Sequence, residues 1–145
     1  MEILAATTSL AESLACSECG TTYLIDQLQT FATCCNKPLV VTYPERPNLR
    51  KEDLAGRELS MWRYHEMLPV FDLENKVSLG EGMTPILPLK RLGSKYGFEN
   101  VSVKEEGLNP TGSFKSRGLS MAISKAKELG FIDSGPADKV IRVKE

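Results

Sequence analysis

The sequence has little that would mark it for a specialised environment. Neither sign of charge is in surplus: 18 lysines and arginines stand against 19 acidic residues, a formal net charge of -1. With no basic run or stripe, the chain carries no electrostatic footprint for nucleic acid or an anionic surface, and neither is expected as a partner. It lacks any apolar run long enough to span a bilayer, so no membrane partner is expected. Met1 to Ala15 contains glutamates but no lysine or arginine, which leaves it without the positive start of a secretory signal or the arginines of a transit peptide. A cytoplasmic, reducing location is therefore expected, and the four cysteines do not read as a disulfide framework. Histidine occurs once, at His65, with no second histidine or acid at ligand spacing; a surface or capping role is expected for it.

What is present divides the chain. Residues 1–43 read as a small β module, 44–60 as a polar, proline-containing linker with a turn of helix near Lys51 to Ala55, and 61–145 as part of a larger α/β domain. In the module, Cys16-Ser-Glu-Cys19-Gly20 sets two thiols at the spacing by which a tight turn presents both sulfurs to one tetrahedral zinc. The cysteines that follow, Cys34 and Cys35, are adjacent and do not repeat that spacing. Cys16, Cys19, Cys34 and Cys35 are the candidate ligands of a structural zinc; the alternative is a small hydrophobic hairpin with free thiols. Leu39 to Tyr43 is a short β-rich run stopped by Pro44.

In the second part, Met61 to Leu68 suits a short helix carrying Trp62 and Tyr64. Ser78 to Leu89, with its glycines and prolines, suits a constrained extended loop. A short helix over Pro88 to Tyr96 should stop at Gly97, and Val101 to Glu105 should form a strand. Asn109-Pro-Thr-Gly-Ser-Phe-Lys-Ser-Arg-Gly118 then joins turn to helix. Pro110 bars helix before about Thr111, Ser113 is a natural N-cap, and Leu119, Ala122, Ile123, Ala126 and Leu129 recur at helical spacing before Gly130. The spacing predicts a helix over Phe114 to Leu129 with that stripe buried. Arg117, Ser120, Ser124, Lys127 and Glu128 then fall on the outer side. Lys115 begins the stripe and is expected to point inward, where burial and the helix dipole would both favour a neutral amine able to attack a carbonyl or move a proton. The competing reading of periodicity alone is a lysine that snorkels to solvent.

Strand, glycine and proline-bearing loop, then helix is the grammar of an open α/β sheet, whose ligands gather beyond the carboxyl ends of the strands. The Asn109 to Gly118 segment resembles the cofactor-lysine segment of the threonine synthases, pyridoxal-phosphate enzymes of the tryptophan-synthase-beta-like fold. Met61-Trp-Arg-Tyr64 with Leu68-Pro69, Ser78-Leu-Gly-Glu-Gly82 with Thr84-Pro85, and Val103-Lys104 with Glu106 follow the same family order. The resemblance implies a Schiff base between Lys115 and pyridoxal 5'-phosphate, with Asn109 and Ser113 flanking the cofactor and Glu81 and Thr84 beside the cleft. It also implies a zinc-ribbon-like module in which Cys35 is the last ligand and its expected partner falls at Ala32. Ser116 stands where many relatives have aspartate. The expected fold is an incomplete open sheet of this type, preceded by the small module.

The implied reaction converts O-phosphohomoserine, a phosphorylated amino acid, to threonine and phosphate, with a homodimer possible in the full-length enzyme. The asparagine-bearing and phosphate-binding glycine loops that the family places later do not follow Gly130, Ser134-Gly-Pro136 being only a faint likeness, and Val140 to Val143 could add one strand. A truncated chain is expected, not competent alone, with apolar faces left uncovered. Alternatives are another member of the superfamily such as cysteate synthase, or a non-enzymatic zinc-ribbon interaction fragment or inert remnant.

Overall fold

The computed structural model describes residues 9–45 and 49–132. The strand expected at Val140 to Val143 and the Ser134 to Pro136 segment lie outside the described residues. The elements in order are β1 (Ser13–Cys16), β2 (Thr22–Tyr23), β3 (Leu39–Thr42), β4 (Ile86–Pro88), α1 (Lys90–Tyr96), β5 (Ser102–Lys104) and α2 (Lys115–Glu128), with 3-10 segments between β3 and β4 and between β5 and α2. No helix among the described residues is long and apolar enough to cross a membrane.

Two small antiparallel sheets result. β1 lies between β2 and β3, pairing Leu14 with Tyr23 on one side and with Val41 on the other. β4 pairs with β5 through Ile86 and Lys104, Leu87 and Val103, and Pro88 and Ser102. Among the described residues these strands form no parallel ladder, and Ile86, Leu87 and Val103 are exposed. The 3-10 turn at Lys51–Leu54 falls where a turn of helix is expected. Past it, Arg57 donates from Nη2 and Nη1 to the two carboxylate oxygens of buried Glu66 at 2.6 and 2.8 Å. Tyr43 donates its hydroxyl to the Met67 carbonyl at 2.6 Å, tying the three-stranded sheet to the following segment. His65 lies 3.4 Å from Glu66.

The core is small: Met61, Trp62 and Val70, with Leu68, Leu73 and Met121 packed against them. Met61 and Trp62 enter it from a 3-10 segment, Met61–Met67, capped by the Ser60 hydroxyl accepting from the Trp62 amide. A left-handed glycine closes each α-helix: Gly97 (φ 72°) donates its amide to the Gly93 carbonyl, and Gly130 (φ 75°) to that of Lys127.

The face that α2 buries most deeply is not the expected one, although Ile123, Ala126 and Leu129 of the expected stripe are half-buried. Ser116, Ser120 and Ser124 are buried, Ser124 completely, whereas Leu119 is 53% exposed and Lys115 and Ala122 are exposed with it. The reason is the surface beneath. Ser120 donates to the Val77 carbonyl at 2.7 Å, and Ser124 accepts from the Val77 amide at 2.8 Å. Small hydroxyl side chains let the helix approach a backbone segment whose polar groups must be paired once covered, and a leucine there could do neither. Ser116, at the aspartate position of many relatives, is packed by donating to the Ser113 carbonyl at 2.8 Å. The inward lysine is thus corrected: Lys115 shares the outer face with Leu119.

Candidate functional site

Two clusters carry chemistry. The first surrounds the turn before α2. Phe114 holds the cap position, not Ser113, but the Ser113 hydroxyl still accepts the Lys115 amide at 3.0 Å, satisfying a free donor of the first turn. Lys115 borders a shallow hollow of about 310 Å³ lined with Phe114, Gly118 and Leu119. Among the described residues its ammonium has no ion pair or hydrogen bond.

Behind Lys115 lies a network that ties its turn to the Ser78 to Pro85 loop. Arg117 clasps Glu106 with two bonds, Nε to Oε2 at 2.7 Å and Nη2 to Oε1 at 2.8 Å. Thr84 donates its hydroxyl to the same carboxylate. Asn109 is buried with its amide fully used: Nδ2 donates to the Glu106 carbonyl and carboxylate, each at 2.9 Å, and Oδ1 accepts from the Gly82 amide at 3.0 Å. Arg117 first, then the Thr84 hydroxyl and the Asn109 amide, holds the Glu106 carboxyl at about 2. Asn109 and Ser113 therefore face the turn's own framework, one anchoring the loop and the other the helix start.

Glu81 completes this framework. Its carboxylate, 1% exposed, accepts from Trp62 Nε1 at 3.0 Å, Ser78 Oγ at 3.0 Å and the Leu79 amide at 2.8 Å, and lies 2.6 Å from Ser120 Oγ, whose single proton it shares with the Val77 carbonyl. Burial opposes its ionisation, but these bonds, led by that from Ser120, outweigh burial and hold the carboxyl below its ordinary range. The Glu106 and Arg117 clamp and the serine stripe were not anticipated as site-forming. The available signal was serine at 116, 120 and 124, a helical repeat of small hydrogen-bonding groups beside a family loop that carries a glutamate.

The second cluster is the four cysteines. Cys16, Cys19, Cys34 and Cys35 lie with their sulfurs all within 4.8 Å of one another. Four thiolates at about 2.3 Å from a tetrahedral zinc stand about 3.8 Å apart, so the donors and their spacing fit such an ion. The Thr21 hydroxyl, then its backbone and the neighbouring thiols, pulls the Cys19 thiol down to about 6. The sulfurs of Cys19 and then Cys34 push Cys35 up to about 12. Crowded thiols thus give up the first proton readily and the last with difficulty, an imbalance that a bound dication removes.

Residues 77–143 match the model of a family described as pyridoxal-phosphate dependent enzyme. The chain is similar to the threonine synthase of Methanocaldococcus jannaschii, 40% identical over 117 residues that make up 79% of this chain and 29% of that protein. It is similar to that of Methanosarcina acetivorans, 39% identical over 118 residues, 81% of this chain and 29% of the relative. The Synechocystis sp. threonine synthase is 53% identical over 68 residues, 46% of this chain and 18% of the relative. The chain thus spans less than a third of the length of these curated relatives. No solved structure gives a significant match.

Proposed function

Because the chain is a relative of the threonine synthases and nearly half of it matches the pyridoxal-phosphate dependent enzyme family, we propose that it is the portion of such an enzyme that carries the cofactor lysine, Lys115. The proposed reaction of the full-length enzyme type is conversion of O-phosphohomoserine to threonine and phosphate, in the cytoplasm, with a homodimer as its working form. The observation that carries the reading is the placement of Lys115, an amine without a partner among the described residues, at the head of a helix and on the rim of a hollow.

When bound, pyridoxal phosphate supplies the electron sink for carbanion chemistry. Lys115 Nζ would hold the cofactor's aldehyde and serve as a proton carrier. Asn109, through Gly82 and Glu106, orients the loop beside that amine, and Ser113 fixes the amide from which the Lys115 side chain departs. Turnover is proposed for the full-length type and not for these residues alone. Among the described residues no glycine-rich loop at a helix N-terminus faces Lys115 to take a phosphate.

The cysteine cluster is proposed to hold a structural zinc within a ribbon-like module at residues 1–43. Its four sulfurs fit a closed tetrahedral site with no position left for substrate.

The cofactor reading is tested by adding pyridoxal phosphate to the purified chain, trapping any imine with borohydride and mapping the modified peptide. Modification concentrated on Lys115, and lost in Lys115→Ala, supports it. Labelling spread evenly over the surface lysines sinks it.

A further inference from the structure

The two halves of the cysteine cluster have one backbone design. In the first, the Cys16 amide donates to the Thr21 carbonyl at 2.9 Å, the Gly20 amide returns to the Cys16 carbonyl at 3.0 Å, and Gly20 has φ 76°. In the second, the Ala32 amide donates to the Lys37 carbonyl at 2.9 Å, the Asn36 amide returns to the Ala32 carbonyl at 2.8 Å, and Asn36 has φ 51°. The sequence offsets are the same in both. Cys19 therefore corresponds to Cys35, and Cys16 corresponds to Ala32. Ala32 is fully buried, as Cys16 nearly is, so the second turn keeps the buried position of a first ligand but has a methyl group there.

Cys34 corresponds to Glu18, a position from which the first turn contributes nothing to the cluster, yet its sulfur lies among the other three and 3.3 Å from Cys19 Sγ. Its backbone is pinned there. The Cys34 amide donates to Tyr23 Oη at 3.1 Å, and the same hydroxyl lies 3.3 Å from Thr33 Oγ1. Tyr23 belongs to β2, so the sheet itself sets the height from which Cys34 reaches in.

We infer that Cys34 is a relocated fourth ligand: it supplies from the third position of the second turn the thiolate that Ala32 cannot, and Tyr23 is the residue that positions it. This rests on the reading that the cluster binds a thiophilic divalent cation. On binding, the sulfurs still protonated release their protons to solvent and the four thiolates would enclose the ion, with the Cys19 to Cys34 separation widening from 3.3 Å toward the tetrahedral edge of about 3.8 Å. A consequence is that positions 32 and 34 are alternatives. Either can complete the site, provided that Cys16, Cys19 and Cys35 remain.

The test uses the full chain, reduced and freed of metal, titrated with cobalt(II) and then with zinc, and followed by the thiolate charge-transfer and tetrahedral ligand-field absorption of cobalt. The wild type should bind one ion with a four-sulfur spectrum. Cys34→Ser should weaken binding by more than the roughly 10–100-fold that loss of a supporting residue brings, whereas Tyr23→Phe should fall within that range. The double change Ala32→Cys with Cys34→Ser should recover the four-sulfur spectrum, which also separates loss of a ligand from loss of fold. If Cys34→Ser binds cobalt as tightly as wild type with an unchanged spectrum, the relocation is overturned while the metal site stands. A double variant no better than Cys34→Ser overturns the equivalence of the two positions. If the wild type takes up neither cobalt nor zinc, the metal reading fails and the inference falls with it.

Discussion

Glu106 and Arg117 close a two-pronged ion pair across the turn that carries Asn109, with bonds of 2.7 and 2.8 Å. The planar match of guanidinium to carboxylate fixes direction as well as distance. It locks the first turn of α2 to the residues after β5, and through Thr84 and Asn109 to the Gly82 loop. The local order of the proposed cofactor site therefore depends on one carboxylate.

That dependence gives a pH signature. The Glu106 carboxyl is held at about 2 in the folded chain against an ordinary 4.5, so its contribution is fully present above the ordinary value. It is lost as pH falls from about 4.5 through 2. Urea unfolding midpoints measured across this window should fall more steeply for wild type than for Glu106→Gln. Arg117→Ala should flatten the same slope and lower Tm at neutral pH by about 2–4 °C. Identical slopes in all three proteins would show the clamp to be energetically silent.

Glu81 has four donors and almost no contact with water. Glu81→Ala removes the acceptor of the Ser78 hydroxyl and the Leu79 amide and leaves the Trp62 indole N–H and the Ser120 hydroxyl only their second partners, Ser120 Oγ and the Val77 carbonyl, and should destabilise the chain by about 2–3 kcal/mol. Glu81→Gln keeps the shape and part of the acceptor capacity and should cost clearly less. Denaturant unfolding with Trp62 fluorescence reads both the stability and the environment of the indole.

Gly82 is irreplaceable for a geometric reason. At φ 110° it faces the chain at Met61, and a Cβ built on it would stand 2.5 Å from the Met61 nitrogen, whose amide donates to the Glu81 carbonyl at 2.8 Å. Gly82→Ala should cost more than about 2 kcal/mol, since strain and a displaced backbone hydrogen bond add. Gly80→Ala, with positive φ but open space around the Cβ, should cost less; equal losses in thermal unfolding would contradict the close-approach argument.

The elements legible in the sequence were those set by local chemistry. Glycines at 97 and 130 stop the helices where expected, Pro44 follows the end of β3, and Trp62 lies in a short helical segment as expected. Lys115 at the head of α2 was also legible, because proline and glycine leave the chain few places to begin a helix. The buried face of α2 was not. Apolar spacing ranks leucine and alanine as inward, but the surface awaiting this helix is the Val77 backbone and the Glu81 carboxylate, about 40 residues earlier in the chain, and within α2 only the serine repeat hints at them. The cysteine register was legible as far as the mismatch at Ala32. Its completion by Cys34 depends on Tyr23, which touches the second turn only through the tertiary fold.

The serine face of α2 makes a prediction that apolar patterning would order the other way. Ser120 contacts Glu81, Trp62 and Val77 in a space without room for three further carbons, whereas Leu119 projects outward on the Lys115 side. Ser120→Leu should both overpack the contact and remove the one hydroxyl proton that the Val77 carbonyl and the Glu81 carboxylate share, for a loss of about 3 kcal/mol. Leu119→Ser should stay within about 0.5 kcal/mol of wild type, as exposed substitutions do, while reducing the apolar lining of the hollow beside Lys115. Measured side by side in denaturant, the pair distinguishes the two packings directly. A stable Ser120→Leu together with an unfolded Leu119→Ser would return the leucine stripe to the core and place Lys115 back inside.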